Sequence, residues 1–217
     1  MPRINLNEAV LSKNDIVARR LRERLKAAGT AVINLASSPG SGKTTLLEKL
    51  LPCLASKYRL AVIEGDLRTE NDANRLRKLG IKAVQIQTGD ACHLEAAQVE
   101  ALIPELGELD LLIIENIGNL VCPASYDLGE DAFFVMLSVP EGDDKPLKYP
   151  TIFHNADIFL LNKTDLAPYV DFSIEKCISN ALAVNSKLEV FTLSARTEEG
   201  LDALFERFEK LIADKKA

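Results

Sequence analysis

The chain has little of several things that would point to particular functions. It has no tryptophan, only two histidines, and no apolar run long enough to cross a membrane. Its opening residues, MPRINLNEAV, lack the apolar segment of a secretory signal peptide. With two histidines there is no histidine-rich tract for storing metal. We therefore expect a cytoplasmic protein that does not enter a membrane.

Basic residues are also fewer than acidic ones. Lys and Arg number 26 against 32 Asp and Glu, which gives a net charge of −6 and argues against binding to nucleic acid or an acidic membrane. The four cysteines of such a chain are expected to be thiols or metal ligands and not disulfides. The 217 residues fit a single domain, residues 1–217, in which residues 1–29 form a helical extension that ends at Gly29.

Strands that alternate with helices along the chain predict the fold class. We expect an α/β protein with a mostly parallel sheet of about seven strands, covered by helices on both faces. The charged segment 141–150, which contains two prolines, is expected to be a surface loop.

The stretch SSPGSGKTT, residues 37–45, is typical of a phosphate-binding loop. An apolar strand precedes it and a helical pattern follows it, so backbone N–H groups and the helix dipole can hold phosphates. Lys43 would reach the β- and γ-phosphates, and the Thr44 hydroxyl would bind Mg²⁺. The usual pattern has glycine where this chain has Ser37, a minor departure. The residues expected to contact nucleotide here are Ser38, Gly40, Ser41, Gly42, Lys43, Thr44 and Thr45.

Acidic residues at two strand ends are expected to complete the magnesium site. Asp66 follows one buried strand and Glu115 ends another, at the edge where open α/β sheets bind ligands. Asp66 would hold the Mg²⁺ shell or the attacking water, unless it caps the next helix instead; Asp72 is a weaker candidate. Gly118 is small enough for its N–H to meet the γ-phosphate. The residues assigned to hydrolysis are Lys43, Asp66, Glu115 and Gly118.

The sequence Asn-Lys-Thr-Asp at 162–165 predicts guanine as the base. Asp165 would accept hydrogen bonds from guanine N1–H and the N2 amine, two donors that adenine does not offer together. Asn162 would order the loop and approach N7, and the stem of Lys163 would cover the base. Ser194 and Ala195 begin a Ser-Ala-Arg stretch typical of the loop whose backbone N–H meets guanine O6. The order of these motifs favours GTP and GDP as ligands.

Cys92, His93 and Cys122 are candidate ligands for a softer metal. They follow the third and fourth predicted strands, and two thiolates with an imidazole suit Ni²⁺ or Zn²⁺, between which the sequence does not choose. Three ligands leave a four-coordinate ion one ligand short, so water or a second chain must complete the coordination, and we favour a site shared across a dimer. The other two cysteines, Cys53 and Cys177, are expected in the core.

The spacing between Gly118 and Cys122 suggests a mechanism. A glycine drawn toward a γ-phosphate must shift a cysteine four residues away, so we expect nucleotide state and metal affinity to be coupled.

Four stretches together resemble the HypB family, the nickel-insertion GTPases of NiFe-hydrogenase maturation. They are SSPGSGKTTLLE, ENIGNLVCPASYDLGE, KYP at 148–150, and NKTDL. The resemblance implies a P-loop GTPase of the SIMIBI type that hydrolyses GTP slowly, and the absence of a glutamine just after Gly118 fits that. It implies a homodimer on binding GTP or metal, with Cys92, His93 and Cys122 matching the family's interface metal site.

The resemblance also implies partners for the chain. These are a HypA-type nickel chaperone and a hydrogenase large-subunit precursor. Some members carry an N-terminal cysteine cluster or a histidine-rich stretch, and residues 1–30 hold neither cysteine nor histidine. We therefore expect nickel to pass through the interface site or the partner.

Three other functions fit the sequence less well. The UreG family of urease-maturation GTPases has a histidine after Cys-Pro, where this chain has Ala124. A P-loop small-molecule kinase would not need residues 162–165. A passive metal-binding protein with a degenerate nucleotide site would not need Lys43, Thr44 and Asp165.

Overall fold

The computed structural model describes residues 6–66, 71–89 and 91–216, and within these ranges seven parallel strands form one sheet. The strand order is β3-β2-β4-β1-β5-β6-β7, with each neighbouring pair parallel. The strands are β1 Ala31–Ser37, β2 Leu60–Asp66, β3 Lys82–Gln87, β4 Leu111–Gly118, β5 Ala132–Ser138, β6 Ile158–Asn162 and β7 Glu189–Thr192. The predicted α/β fold with a parallel seven-stranded sheet is confirmed.

Helices connect the strands and cover both faces of the sheet. They are α1 Leu6–Ala27, α2 Lys43–Ala55, α3 Asn71–Lys78, α4 Ala96–Leu106, α5 Lys145–Lys148, α6 Pro150–Asn155, α7 Ile174–Val184 and α8 Leu201–Lys216. Apolar residues of α2, α3 and α8 pack on one face of the sheet. Those of α1 and α4, and of α6 and α7, form two clusters on the other. No helix in the described part of the chain is both long and apolar enough to span a membrane.

The central strands read as continuous apolar runs because both of their faces are buried. In β1, Ile33 and Leu35 pack under α2 and α8, whereas Val32 packs with α1 and α4 on the opposite face. Alternation of side chains across a strand therefore sends successive apolar residues to different cores. This burial on both sides holds the carboxyl ends of β1 and β4 rigidly next to each other.

The expected surface loop over 141–150 is partly wrong, because short helices occupy it. Residues 145–148 form α5, and α6 begins at Pro150. Pro146 and Pro150 stand in the first turns of these helices, where a backbone N–H has no partner within the helix. Proline is therefore compatible with both helices, although in a charged stretch of sequence it also favours a loop.

Candidate nucleotide and metal sites

The phosphate-binding stretch links β1 to α2, as its sequence predicts. Lys43 Nζ donates to Ser37 Oγ at 2.7 Å, so the serine that replaces the usual glycine holds the lysine at the start of the loop. Gly42 has φ +99°, and a Cβ there would lie 2.7 Å from Asn162 Nδ2. Only glycine meets both conditions. A cavity of about 330 Å³ is lined by Gly40, Ser41, Gly42, Lys43, Thr44, Thr45, Asp72, Arg75, Glu115 and Lys163. Ser38 lies at the other side of the loop and donates to Glu141.

Thr44 and Glu115 meet at the expected magnesium position. Thr44 Oγ1 donates to Glu115 Oε1 at 3.0 Å, and both residues are buried. Burial raises the pKa of Glu115, and the nearby charge of Lys43 opposes that shift. Hydroxyl and carboxylate oxygens are the ligands that Mg²⁺ prefers, so the donor set fits the ion. Asp66 ends β2, and its side chain lies outside the described residues.

A second carboxylate, which sequence reasoning missed, adjoins this pair. Glu64 lies opposite Glu115 in the pairing of β2 with β4 and is 2% exposed. Burial first, and the charge of Glu115 second, raise the pKa of Glu64 to about 10. The available signal was that LAVIE and DLLIIE are both apolar runs that end in glutamate.

Gly118 lies against the phosphate loop. After a bulge in the pairing of β1 with β4 it stands opposite Ser37, and a Cβ on it would lie 3.1 Å from Pro39 Cα. A larger residue would push the two segments apart. The structure thus brings Gly118 to the edge of the loop where its proposed contact with a γ-phosphate requires it.

The residues predicted to read guanine form one connected group. Asp165 Oδ1 accepts from the Ser194 hydroxyl at 2.7 Å, which orients the carboxylate. Asn162 Nδ2 donates to the Ser41 carbonyl at 2.9 Å, and Asn162 Oδ1 accepts from Ala195 N–H at 3.0 Å. Asn162 therefore joins the phosphate loop to the Ser-Ala-Arg loop. The Ala195 N–H belongs to the loop whose backbone is predicted to meet guanine O6, and here it donates to Asn162.

Lys163 bridges the same two parts of the site. It has φ 61°, which is uncommon for a residue with a side chain, and its Nζ donates to the Gly40 carbonyl at 2.6 Å. The lysine stem therefore passes over the opening between Gly40 and the base-reading loop. That Lys163 covers the base stays a prediction.

The three predicted ligands of the softer metal come together. Their ligand atoms all lie within 4.8 Å of one another, and the sulfur atoms of Cys92 and Cys122 are in contact. Strand order explains this, because β3 and β4 flank β2 and end at the same edge of the sheet. His93 stacks on Tyr126 with ring centroids 3.7 Å apart, which fixes the imidazole. The donor set of two sulfurs and one nitrogen suits Ni²⁺ or Zn²⁺.

The surroundings favour the metal-binding protonation state of His93 but not that of Cys122. Burial lowers the pKa of His93, so its imidazole stays neutral and free to coordinate. The pKa of Cys122 is raised first by its hydrogen bond with the Cys92 thiol, then by burial and by the repulsion between the two sulfurs when both are ionised. A bound divalent cation removes that repulsion. The group is therefore better suited to a metal ion than to two free thiolates.

The other cysteines differ from each other. Cys177 is fully buried on α7, as expected, and burial raises its pKa to about 12. The expectation for Cys53 is wrong, because Cys53 is exposed. The buried face of α2 is formed by Leu46, Leu47, Leu50, Leu51 and Leu54, and Cys53 points away from it.

Several known proteins are similar to this chain over most of its length. The family model described as "CobW/HypB/UreG, nucleotide-binding domain" matches residues 31–192. Hydrogenase maturation factor HypB of Azotobacter vinelandii is 52% identical over 200 residues, which are 91% of this chain and 66% of that protein. This chain thus spans slightly less than two thirds of the length of that relative.

Helicobacter pylori provides two further matches. Its hydrogenase/urease maturation factor HypB is 44% identical over 219 residues, covering 98% of this chain and 88% of the relative. The crystal structure of H. pylori HypB in complex with nickel has a TM-score of 0.88 and 43% identity, covering 94% of this chain and 97% of that one. This chain therefore belongs to the HypB family, within the CobW/HypB/UreG group of nucleotide-binding domains.

Proposed function

We propose that this protein is a GTP-hydrolysing metallochaperone that delivers nickel during NiFe-hydrogenase maturation. Its metal site, at Cys92, His93 and Cys122, would lie at a dimer interface and respond to the bound nucleotide. One observation carries the proposal: a cluster of soft ligands within 4.8 Å stands at the same sheet edge as a phosphate-binding loop. A protein that only hydrolysed GTP would not need such ligands there.

The base-reading group supports GTP as the nucleotide. Asp165 is oriented by Ser194, and Asn162 ties that loop to the phosphate loop, so base and phosphates would be read by one connected unit. Adenine would leave the Asp165 carboxylate without its two donors. This arrangement also argues against a small-molecule kinase that uses ATP.

The proposed hydrolysis divides its tasks among few residues. Lys43 would hold the β- and γ-phosphates, and Thr44, Glu115 and Asp66 would hold Mg²⁺, which neutralises charge on the transferring phosphoryl group. Gly118 would donate its N–H to the γ-phosphate. We retain Asp66 as the proposed group that orients the attacking water, and without a glutamine after Gly118 we expect hydrolysis to be slow.

Two contacts support coupling between nucleotide and nickel. Gly118 lies against Pro39 of the phosphate loop and is four residues before Cys122. On the other side, Leu94 packs against Gly65, where a Cβ would lie 2.9 Å from Leu94 Cδ1. Leu94 follows directly after His93. The loop with Cys92 and His93 therefore contacts the end of β2, and the segment before Cys122 contacts the phosphate loop.

The cluster of candidate metal ligands also supports the proposed dimer. Cys92, His93 and Cys122 supply three ligands, and a four-coordinate ion needs one more. Val121, beside Cys122, is 60% exposed and offers an apolar contact at the same place. A second copy of the chain would cover Val121 and complete the coordination, and a HypA-type chaperone and the hydrogenase precursor remain the proposed exchange partners.

The test is nickel and zinc binding to the wild type and to Cys122→Ala, each loaded with GDP or a non-hydrolysable GTP analogue. Light scattering follows the mass in the same samples. We expect one ion per dimer, an affinity that depends on the nucleotide, and loss of binding in the variant. Metal binding that ignores both nucleotide and substitution would leave a GTPase with structural cysteines, and the metallochaperone proposal would fail.

A second destination for the nickel has an observation in its favour. The H. pylori relative that matches 98% of this chain carries the name hydrogenase/urease maturation factor. Urease is therefore a further candidate recipient. Nickel transfer from the loaded protein to each apo-enzyme, measured side by side, separates the two recipients.

A further inference from the structure

Glu64 is a buried acid that the functions described so far do not use. It is 2% exposed, lies in β2 directly opposite Glu115 of β4, and its carboxyl group is within hydrogen-bonding reach of that of Glu115. Residues paired in register on parallel strands send their side chains to the same face of the sheet. Both carboxyl groups therefore face the helix N-terminus that carries Lys43 and Thr44.

The two acids are incompletely satisfied. Among the described residues, no group donates a hydrogen bond to Oε1 of Glu64 or to Oε2 of Glu115. Glu115 uses its other oxygen to accept from Thr44, and the charges of Lys43 and Asp72 act on both glutamates. Burial and mutual repulsion make it costly for both acids to be ionised beside one lysine, so Glu64 keeps a proton unless a bound cation replaces it.

Mg²⁺ is the cation that this position calls for. It prefers carboxylate and hydroxyl oxygens and keeps several water molecules, which could donate to the free oxygens of both acids. We propose that Glu64 is a second acidic member of the magnesium site, positioned on β2 to hold the ion's shell jointly with Glu115. This inference rests on the proposed GTPase function and adds to it a residue beyond Thr44, Asp66 and Glu115.

A purely structural role for Glu64 makes a different prediction. If Glu64 only filled space beside Glu115, glutamine would replace it without affecting metal binding, because the two side chains have nearly the same shape. If it belongs to the ion's shell, its negative charge matters. Glu64→Gln and Glu64→Asp therefore form a matched pair that removes the charge or keeps it.

The experiment measures Mn²⁺ binding, as a paramagnetic substitute for Mg²⁺, to the protein loaded with GDP. Free Mn²⁺ is followed by electron paramagnetic resonance, and GDP affinity is measured separately in the presence of a chelator. Removing a residue of a metal's outer shell commonly weakens metal binding by about 10- to 100-fold. We expect Glu64→Gln to lose Mn²⁺ affinity in that range and Glu64→Asp to lose less, with GDP affinity in chelator unchanged.

Two further variants make failure interpretable. Glu108→Gln, an acid whose side chain is 88% exposed, should bind Mn²⁺ like the wild type. Thr44→Ala should weaken Mn²⁺ binding if the nucleotide site works as proposed. Weak binding in Thr44→Ala with wild-type binding in Glu64→Gln would overturn the inference alone, whereas GDP binding absent from the wild type would overturn the proposed function itself.

Discussion

Asp165 and Ser194 come from different loops, and the hydrogen bond between them shows how single side chains are prepared for a ligand. The serine hydroxyl donates to Oδ1 at 2.7 Å and holds the carboxylate before any base is present. Preorganisation of this kind lowers the entropic cost of binding. The same argument applies to Asn162, whose amide nitrogen donates to the phosphate loop and whose amide oxygen accepts from Ala195.

Asp165→Asn should change the preferred base. The amide offers a donor where guanine also has a donor, so we expect GDP affinity to fall by about a hundredfold or more, as for other unpaired polar contacts. Xanthine has a carbonyl at that position, so XDP should bind the variant better than GDP does. Fluorescent-nucleotide titrations of wild type, Asp165→Asn and Ser194→Ala check this, and an unchanged preference would contradict the assignment.

Glu130 gives a residue-scale prediction about pH. Burial raises its pKa from 4.5 to about 7, the charge of Asp127 adds to the shift, and a hydrogen bond from Asn34 opposes it. Between those two pH values the folded protein keeps a proton that the unfolded chain has released. The free energy of unfolding should therefore fall as pH rises through this window, by about 3 kcal/mol from this group.

Glu130→Gln tests the prediction because glutamine does not titrate. Urea unfolding of both proteins from pH 5 to pH 8 gives the comparison, and titrating groups remote from Glu130 contribute equally to each. We expect the wild type to lose stability relative to the variant as pH rises. Parallel curves would show that Glu130 is ionised throughout.

At the scale of elements, the loop after β3 is tied to the end of β2 by one apolar contact. Leu94 is fully buried and packs against Gly65 between Glu64 and Asp66. Because it adjoins His93, its packing positions a metal ligand while contacting the magnesium end of β2. Coupling carried by a packed contact needs no ligand in common between the sites.

Leu94→Ala should weaken nickel binding although Leu94 is not a ligand. Loss of the side chain is expected to cost about 3 kcal/mol of unfolding free energy, typical of a buried Leu→Ala change, and to loosen the loop. Leu204→Ala is the matched control, since Leu204 is equally buried but lies on α8 in the opposite core. Calorimetric nickel titrations should separate them: equal nickel affinity in the two variants would argue against a positioning role.

At the scale of the molecule, the metal edge is the place where a second copy is proposed to bind. Val121→Asp puts a charge on that contact without touching a ligand or the nucleotide site. We expect the variant to stay monomeric with a GTP analogue and nickel, and to bind nickel more weakly because the partner's contribution is lost. Light scattering measures this, and Leu79→Asp, a similar change at an exposed residue after α3, is the control.

Much of this molecule follows from its sequence. The apolar runs and helical patterns predict the parallel sheet because buried strands and amphipathic helices carry their periodicity locally. The phosphate loop and the motif at 162–165 are each a continuous stretch of sequence, so their chemistry can be predicted without knowing the fold. The short helices at 145–155 were missed because proline in a first helical turn reads like proline in a loop.

Other features depend on the tertiary structure alone. Glu64 meets Glu115 because β2 pairs with β4, and Cys92 meets Cys122 because β3 and β4 flank β2. Cys53 is exposed because the rotation of α2 on the sheet, set by its five buried leucines, turns it outward. Which chemical groups are present, and which local elements carry them, can be read from the sequence. Strand order and helix rotation, which arise from packing between distant segments, decided which of those groups lie together.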